Sequence, residues 1–147
     1  MYRKILVALE NSAADESLLP HISEFARRFQ SELVLLHVAD GWAARNFDQL
    51  KLTESEEMKT DREYLEKRAS ELRAGGLRAS IQLALGEPSK EILKIADAEK
   101  CDLIAMTSHG HRWLADLFRG STIAAVRHKT SVPILLVRAG AYKPSHQ

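Results

Sequence analysis

Short apolar runs separated by helix-length amphipathic segments recur along this chain, and that alternation limits its fold more than any other feature. Ile5 to Leu9 is a continuous apolar run of the kind that forms a strand buried on both faces. Asn11 and Ser12 follow as helix-capping side chains. Leu18, Ile22, Phe25 and Phe29 then return at helical spacing, predicting a helix that ends near Gln30. Leu33 to Val38 repeats the first pattern, so strand, helix and strand succeed one another within forty residues. Asp40 to Leu52 reads as a loop holding Trp42, after which Thr53 and Glu56 have capping-box spacing. The helix they open carries Met58, Tyr64, Leu65, Ala69 and Leu72 and stops at Gly75-Gly76. Ala79, Ile81, Leu83 and Leu85 alternate with Ser80, Gln82 and Ala84, which predicts a thinly covered or edge strand. Pro88 suits the first turn of a third helix. A fourth strand spans Leu103 to Met106, a helix spans Ser121 to Lys129, and a fifth strand spans Pro133 to Val137. Parallel strands need such crossovers, so the pattern predicts an α/β fold with one open, doubly wound, five-stranded parallel sheet.

Size and charge narrow the function classes. The 147 residues suit one domain over 1–138 followed by a frayed tail, 139–147. With 21 basic and 20 acidic residues the formal charge is +1, which advertises no nucleic-acid surface. Cys101 is the single cysteine and cannot form an internal disulfide, in keeping with a reducing compartment. The apolar opening is too short for a signal-peptide core or a membrane span, so a cytoplasmic protein without membrane contacts is expected.

Doubly wound sheets bind ligands beyond the carboxyl ends of their strands, where the strand order reverses. The stretch after the fourth strand is the one furnished for chemistry: Thr107, Ser108, His109, Gly110, His111, Arg112 and Trp113, then Gly120, Ser121 and Thr122 opening the next helix. Glycines let backbone amides approach an anion closely, and a helix start offers unpaired N–H groups with the positive end of the dipole. The hydroxyls of Ser121 and Thr122 add donors, so the segment can cradle phosphate. A glycine before Ser-Thr is equally an ordinary way to start a helix, and spacing alone leaves both readings open.

This segment resembles the nucleotide loop of the universal stress protein family, whose ATP-binding members carry G-x2-G-x9-G-[ST] here. The likeness covers nearly the whole chain. It includes Lys4-Ile5-Leu6-Val7-Ala8, Leu36-His37-Val38, Gly86-Glu87-Pro88, Cys101-Asp102-Leu103-Ile104 and Val132-Pro133-Ile134-Leu135-Leu136-Val137. Gly110, Gly120 and Ser121 match the motif in register, whereas Thr107 stands where its first glycine is usual.

The resemblance implies the adenine nucleotide alpha hydrolase-like fold with strand order 3-2-1-4-5, which makes the alternating third strand an edge. It implies ATP, or AMP or ADP, as ligand, with or without Mg²⁺, in a regulatory or stress-response role. Adenine would lie against the ends of strands one and two, at Ala8, Leu9 and Val38. Glu10 stands where an aspartate near base and ribose is usual, and its extra methylene is expected to carry the carboxylate outward. Thr107 to Trp113 would wrap the phosphates on one side, Arg112 adding charge, with Gly120, Ser121 and Thr122 on the other. The family also commonly forms homodimers, and the apolar, uncharged fifth strand, Pro133 to Val137, is an edge that invites such pairing.

Other chemistries find less in the residues. No G-x4-G-K-[ST] phosphate loop is present, so at most slow ATP hydrolysis is expected. Ser12 and Ser108 lack a nucleophile elbow. His109 and His111 share a face if extended but complete no recognised metal spacing. Leu9-Glu10-Asn11-Ser12 does not match the loop of the adenylating ATP pyrophosphatases, and Glu10 alone does not make the aspartate cluster of a receiver domain. A dimeric interaction module of the same fold that binds no nucleotide is the alternative, with Thr107 and Glu10 as its support.

Overall fold

The computed structural model describes residues 1–39, 51–109 and 120–140. Among these residues five strands, β1 (Lys4–Ala8), β2 (Glu32–Ala39), β3 (Arg78–Leu85), β4 (Leu103–Ser108) and β5 (Ile134–Arg138), alternate with four helices. These are α1 (Asp15–Phe29), α2 (Lys51–Ala74), α3 (Pro88–Ala98) and α4 (Gly120–Lys129). All strand pairs are parallel and the order is β3-β2-β1-β4-β5, as the resemblance implied. The order reverses between β1 and β4, because β1 feeds a crossover to one side and β4 begins the other.

The two faces of the sheet are filled by successive residues of the same strands, the consequence of a two-residue period. Ile5, Val7 and Leu9 face one layer, with Leu18, Ile22 and Ala26 of α1 and Leu65 and Ala69 of α2. Leu6 and Ala8 face the other, with Ile92 and Ala96 of α3 and Val126 of α4. From Ile5 onward β1 is therefore apolar and enclosed, as its sequence predicts. β3 is an edge, but its residues are half-buried on both faces and Ala84 is its most enclosed, so the expected wet face is thinly covered rather than solvated.

Several boundaries move. β4 runs two residues past Met106, so Thr107 and Ser108 belong to the strand and pair with Val137 and Arg138 of β5. α1 begins at Asp15. Its preceding turn is closed mainly by the Asp15 carboxylate rather than by Asn11, which adopts a left-handed φ of 58°. Ser12 Oγ accepts the Ala14 N–H at 3.2 Å. α2 is already helical at Lys51, so Thr53 does not cap it. Trp42 lies outside the described residues, as does the tail beyond Gly140.

Candidate functional site

The ladder between β1 and β4 stops at the Val7–Ala105 pair, whereas β1 stays paired with β2 through Ala8 and β4 with β5 through Ser108. A crevice thus opens at the carboxyl end of the sheet, at the point of order reversal. Ala8, Leu9 and Glu10 border it on one side and Thr107, Ser108 and His109 on the other. The first turn of α4, Gly120-Ser121-Thr122, starts at the same end of the sheet because its helix runs antiparallel to the strands it joins.

Glu10 spans this crevice. Its side chain is buried, and Thr107 Oγ1 donates to Oε2 at 2.9 Å across ninety-seven residues of sequence. His109 Nε2 lies 2.7 Å from each carboxylate oxygen. The outward carboxylate expected from the extra methylene is therefore corrected: the longer side chain reaches inward and bridges to β4. Thr107 keeps an extended backbone within its strand, so no positive φ arises, and its hydroxyl is committed to Glu10. Burial lifts the Glu10 carboxyl above its ordinary value of 4.5, while the hydrogen bonds from His109 and Thr107 pull it part of the way back.

A second network braces the turn that carries Glu10. The buried Asp15 carboxylate accepts the backbone N–H groups of Glu10 and Asn11, both at 2.9 Å, and the hydroxyl of Tyr64 from α2. The Tyr64 phenol is pushed up from its ordinary value, first by burial and then by its bond to Asp15. His37, two residues before the end of β2, is buried with Nδ1 2.9 Å from the Leu9 carbonyl, and a carbonyl can only accept, so Nδ1 carries the proton. Its Nε2 faces Asp61 of α2 at 3.5 Å, and Asn11 Nδ2 donates to the same carboxylate at 3.0 Å. Asp15, Asp61 and Tyr64 are not among the site residues that the sequence singles out. An acidic residue in a helix's first turn was the available signal for Asp15.

The remaining site residues divide plainly. Ala8 and Val38 are buried in the layer under α3 and α4, and Leu9 in the opposite layer. Ser108 accepts the Ala139 N–H at 2.8 Å through its carbonyl, which fastens the chain after β5. Thr122 is buried in the first turn of α4. Gly110, His111, Arg112 and Trp113 lie outside the described residues. No group of three or more metal-ligating side chains occurs among the described residues. Cys101 sits at the opposite end of the sheet, where burial pushes its thiol up to about 11 and keeps it protonated.

A doubly wound sheet with a furnished crevice at its reversal point defines a class of α/β ligand-binding proteins. The profile of the Universal stress protein family matches residues 1–138, and the chain belongs to that family. The universal stress protein MJ0577 of Methanocaldococcus jannaschii is 31% identical, with 94% of this chain and 96% of that protein covered. The solved MJ0577 structure gives a TM-score of 0.79 over 97% of this chain and 99% of that one. The fold is shared with a universal stress protein from Archaeoglobus fulgidus in complex with dAMP, 23% identical with a TM-score of 0.67 over 92% and 98% of the two chains. It is also shared with a universal stress protein in complex with cAMP, 17% identical with a TM-score of 0.66 over 93% and 97%.

Proposed function

We propose that this protein binds an adenine nucleotide, ATP first among them, in the crevice between β1 and β4, and acts as a regulatory protein of the stress response. The observation that carries the reading is the coincidence of the order reversal with the first turn of α4. Backbone N–H groups at Gly120, Ser121 and Thr122 supply the positive end of a helix dipole where the crevice opens. The Gly110-to-Gly120 loop and Arg112 complete the phosphate side, and Ala8, Leu9 and Val38 border the base. The dAMP and cAMP complexes of fold relatives support the ligand class. Mg²⁺ accompanies a triphosphate through its phosphate oxygens, and hydrolysis is slow at most, since the described crevice holds no lysine of a phosphate loop.

The protein works in the cytoplasm as a homodimer joined along β5, Pro133 to Val137. Among the described residues no helix is long and apolar enough to cross a membrane. Leu136 is 45% exposed, an apolar side chain on the last strand of the sheet. A dimeric interaction module without nucleotide is the second reading, favoured by the Thr107–Glu10–His109 bridge lying where a ligand enters. Calorimetric titration with ATP, AMP and GTP separates the two. Saturable heat with the adenine nucleotides supports the first, and no heat with any of them at neutral and mildly acidic pH supports the second.

A further inference from the structure

A doubly wound sheet presents two helix starts where its strand order reverses, here those of α1 and α4. Backbone N–H groups at either can receive phosphate. In this chain the first is already filled from within. Glu10, Asn11 and Ser12 form a concave turn, Asn11 taking a left-handed φ of 58°, and their successive N–H groups converge. They converge on the Asp15 carboxylate. Glu10 N–H donates to Oδ1 at 2.9 Å, and Asn11 and Ser12 N–H donate to Oδ2 at 2.9 and 3.4 Å. Asp15 is fully enclosed, and the Tyr64 hydroxyl donates to it from α2. Neighbouring N–H groups are spent as well. Leu9 donates to the Leu36 carbonyl and Ala14 to Ser12 Oγ, while Asp15, Glu16 and Ser17 donate to the carbonyls of Ser12, Ala13 and Ala14.

We infer that Asp15 is a positioning residue: it supplies the anion that the turn between β1 and α1 would otherwise take from a ligand, and so sends the phosphates of a nucleotide to the start of α4. This inference rests on the nucleotide reading above. Its reason lies in donors rather than in repulsion. To reach the N–H groups of Glu10, Asn11 and Ser12, a phosphate would have to displace a buried carboxylate. That carboxylate would then stand without partners in a place closed to water, which costs more than the exchange returns. With its N–H groups turned to Asp15, the end of β1 meets the crevice through the Glu10 carboxylate, an acceptor. The two sides of the crevice thereby differ in kind, and a nucleotide lies across it in one direction.

The test is amide-resolved NMR on the wild-type protein, Asp15→Ala and Tyr64→Phe. Each is titrated with tripolyphosphate and, separately, with formate at constant ionic strength. In wild type, tripolyphosphate should shift the amides of Gly120, Ser121 and Thr122 and leave those of Glu10, Asn11 and Ser12 in place. Formate should move none of the latter in wild type or in Tyr64→Phe, where the carboxylate still fills the turn. In Asp15→Ala the turn has lost its anion, so formate should give saturable shifts at Glu10, Asn11 and Ser12. The ATP affinity of this variant should fall about tenfold and recover with formate, a rescue that a general loss of folding would not show. Where Asp15→Ala does not fold by circular dichroism, the wild-type titration still decides. Wild-type shifts at Glu10, Asn11 and Ser12 as large as those at the start of α4, or Asp15→Ala amides indifferent to formate, overturn the inference while nucleotide binding stands. No response of wild type to tripolyphosphate or ATP overturns the nucleotide reading and the inference with it.

Discussion

Thr107 and Glu10 are two departures from the family pattern that turn out to be one feature. A threonine at the end of β4 offers a hydroxyl where glycine offers nothing, and a glutamate reaches it across the crevice where an aspartate is one methylene shorter. The charge they enclose has a measurable signature. Glu10 binds its proton more tightly in the fold than in the unfolded chain, since burial raises it above 4.5. The stability this proton contributes is complete below that value and is lost as pH rises through the folded value. Urea unfolding should show wild type losing stability relative to Glu10→Gln as pH climbs toward neutrality; a gap that stays level or widens in favour of wild type contradicts the burial argument. Tyr64→Phe tests the neighbouring network. Removing a hydroxyl that donates to buried Asp15 should cost about 1–2 kcal/mol in the same measurement. An unchanged midpoint would mean that Asp15 holds the turn through its backbone donors alone.

At the scale of elements, most of the fold was legible because its strands are enclosed on both faces. Ile5 to Leu9 and Leu33 to Val38 read as short continuous runs too brief for helices, the mark of strands buried on both faces. The glycine pair ending α2 and the proline opening α3 are equally local signals. What sequence could not show was long-range. The inward turn of Glu10 depends on a residue ninety-seven positions away, and the Asp61 and Tyr64 contacts depend on where α2 packs. Capping was misread after β1 for a related reason: Asn11 and Ser12 have the right side chains, but Asp15 is the group that reaches back over the turn. The first turn of α4 is where the proposed ligand depends on one element. Gly120→Val places a branched side chain where the backbone must approach phosphate, and ATP affinity should fall roughly tenfold or more, the loss of one charge-assisted hydrogen bond. Undiminished affinity with a normal circular dichroism spectrum would put the phosphates elsewhere.

For the whole molecule, the sheet has two edges of different character. β3 is half-covered on both faces, while β5 leaves Leu136 exposed beside Arg138. The proposed dimer joins this second edge to its copy. Leu136→Lys should yield monomers by sedimentation at little cost to folding, because that side chain is not enclosed in either layer. A dimer that persists with lysine there would reject pairing along β5. This edge strand pairs directly with β4, Thr107 with Val137, so ATP affinity is measured beside oligomeric state on the same variant.

Nucleotide binding here depends most on backbone N–H groups at the start of α4 meeting phosphate at the reversal point of the sheet. Amide-resolved NMR during titration with ATP observes those groups directly. The largest shifts are expected at Gly120, Ser121 and Thr122, with further shifts at Glu10 and His109 and none around Cys101 at the far end of the sheet. Shifts concentrated away from these amides, or none at saturating ATP, would contradict it.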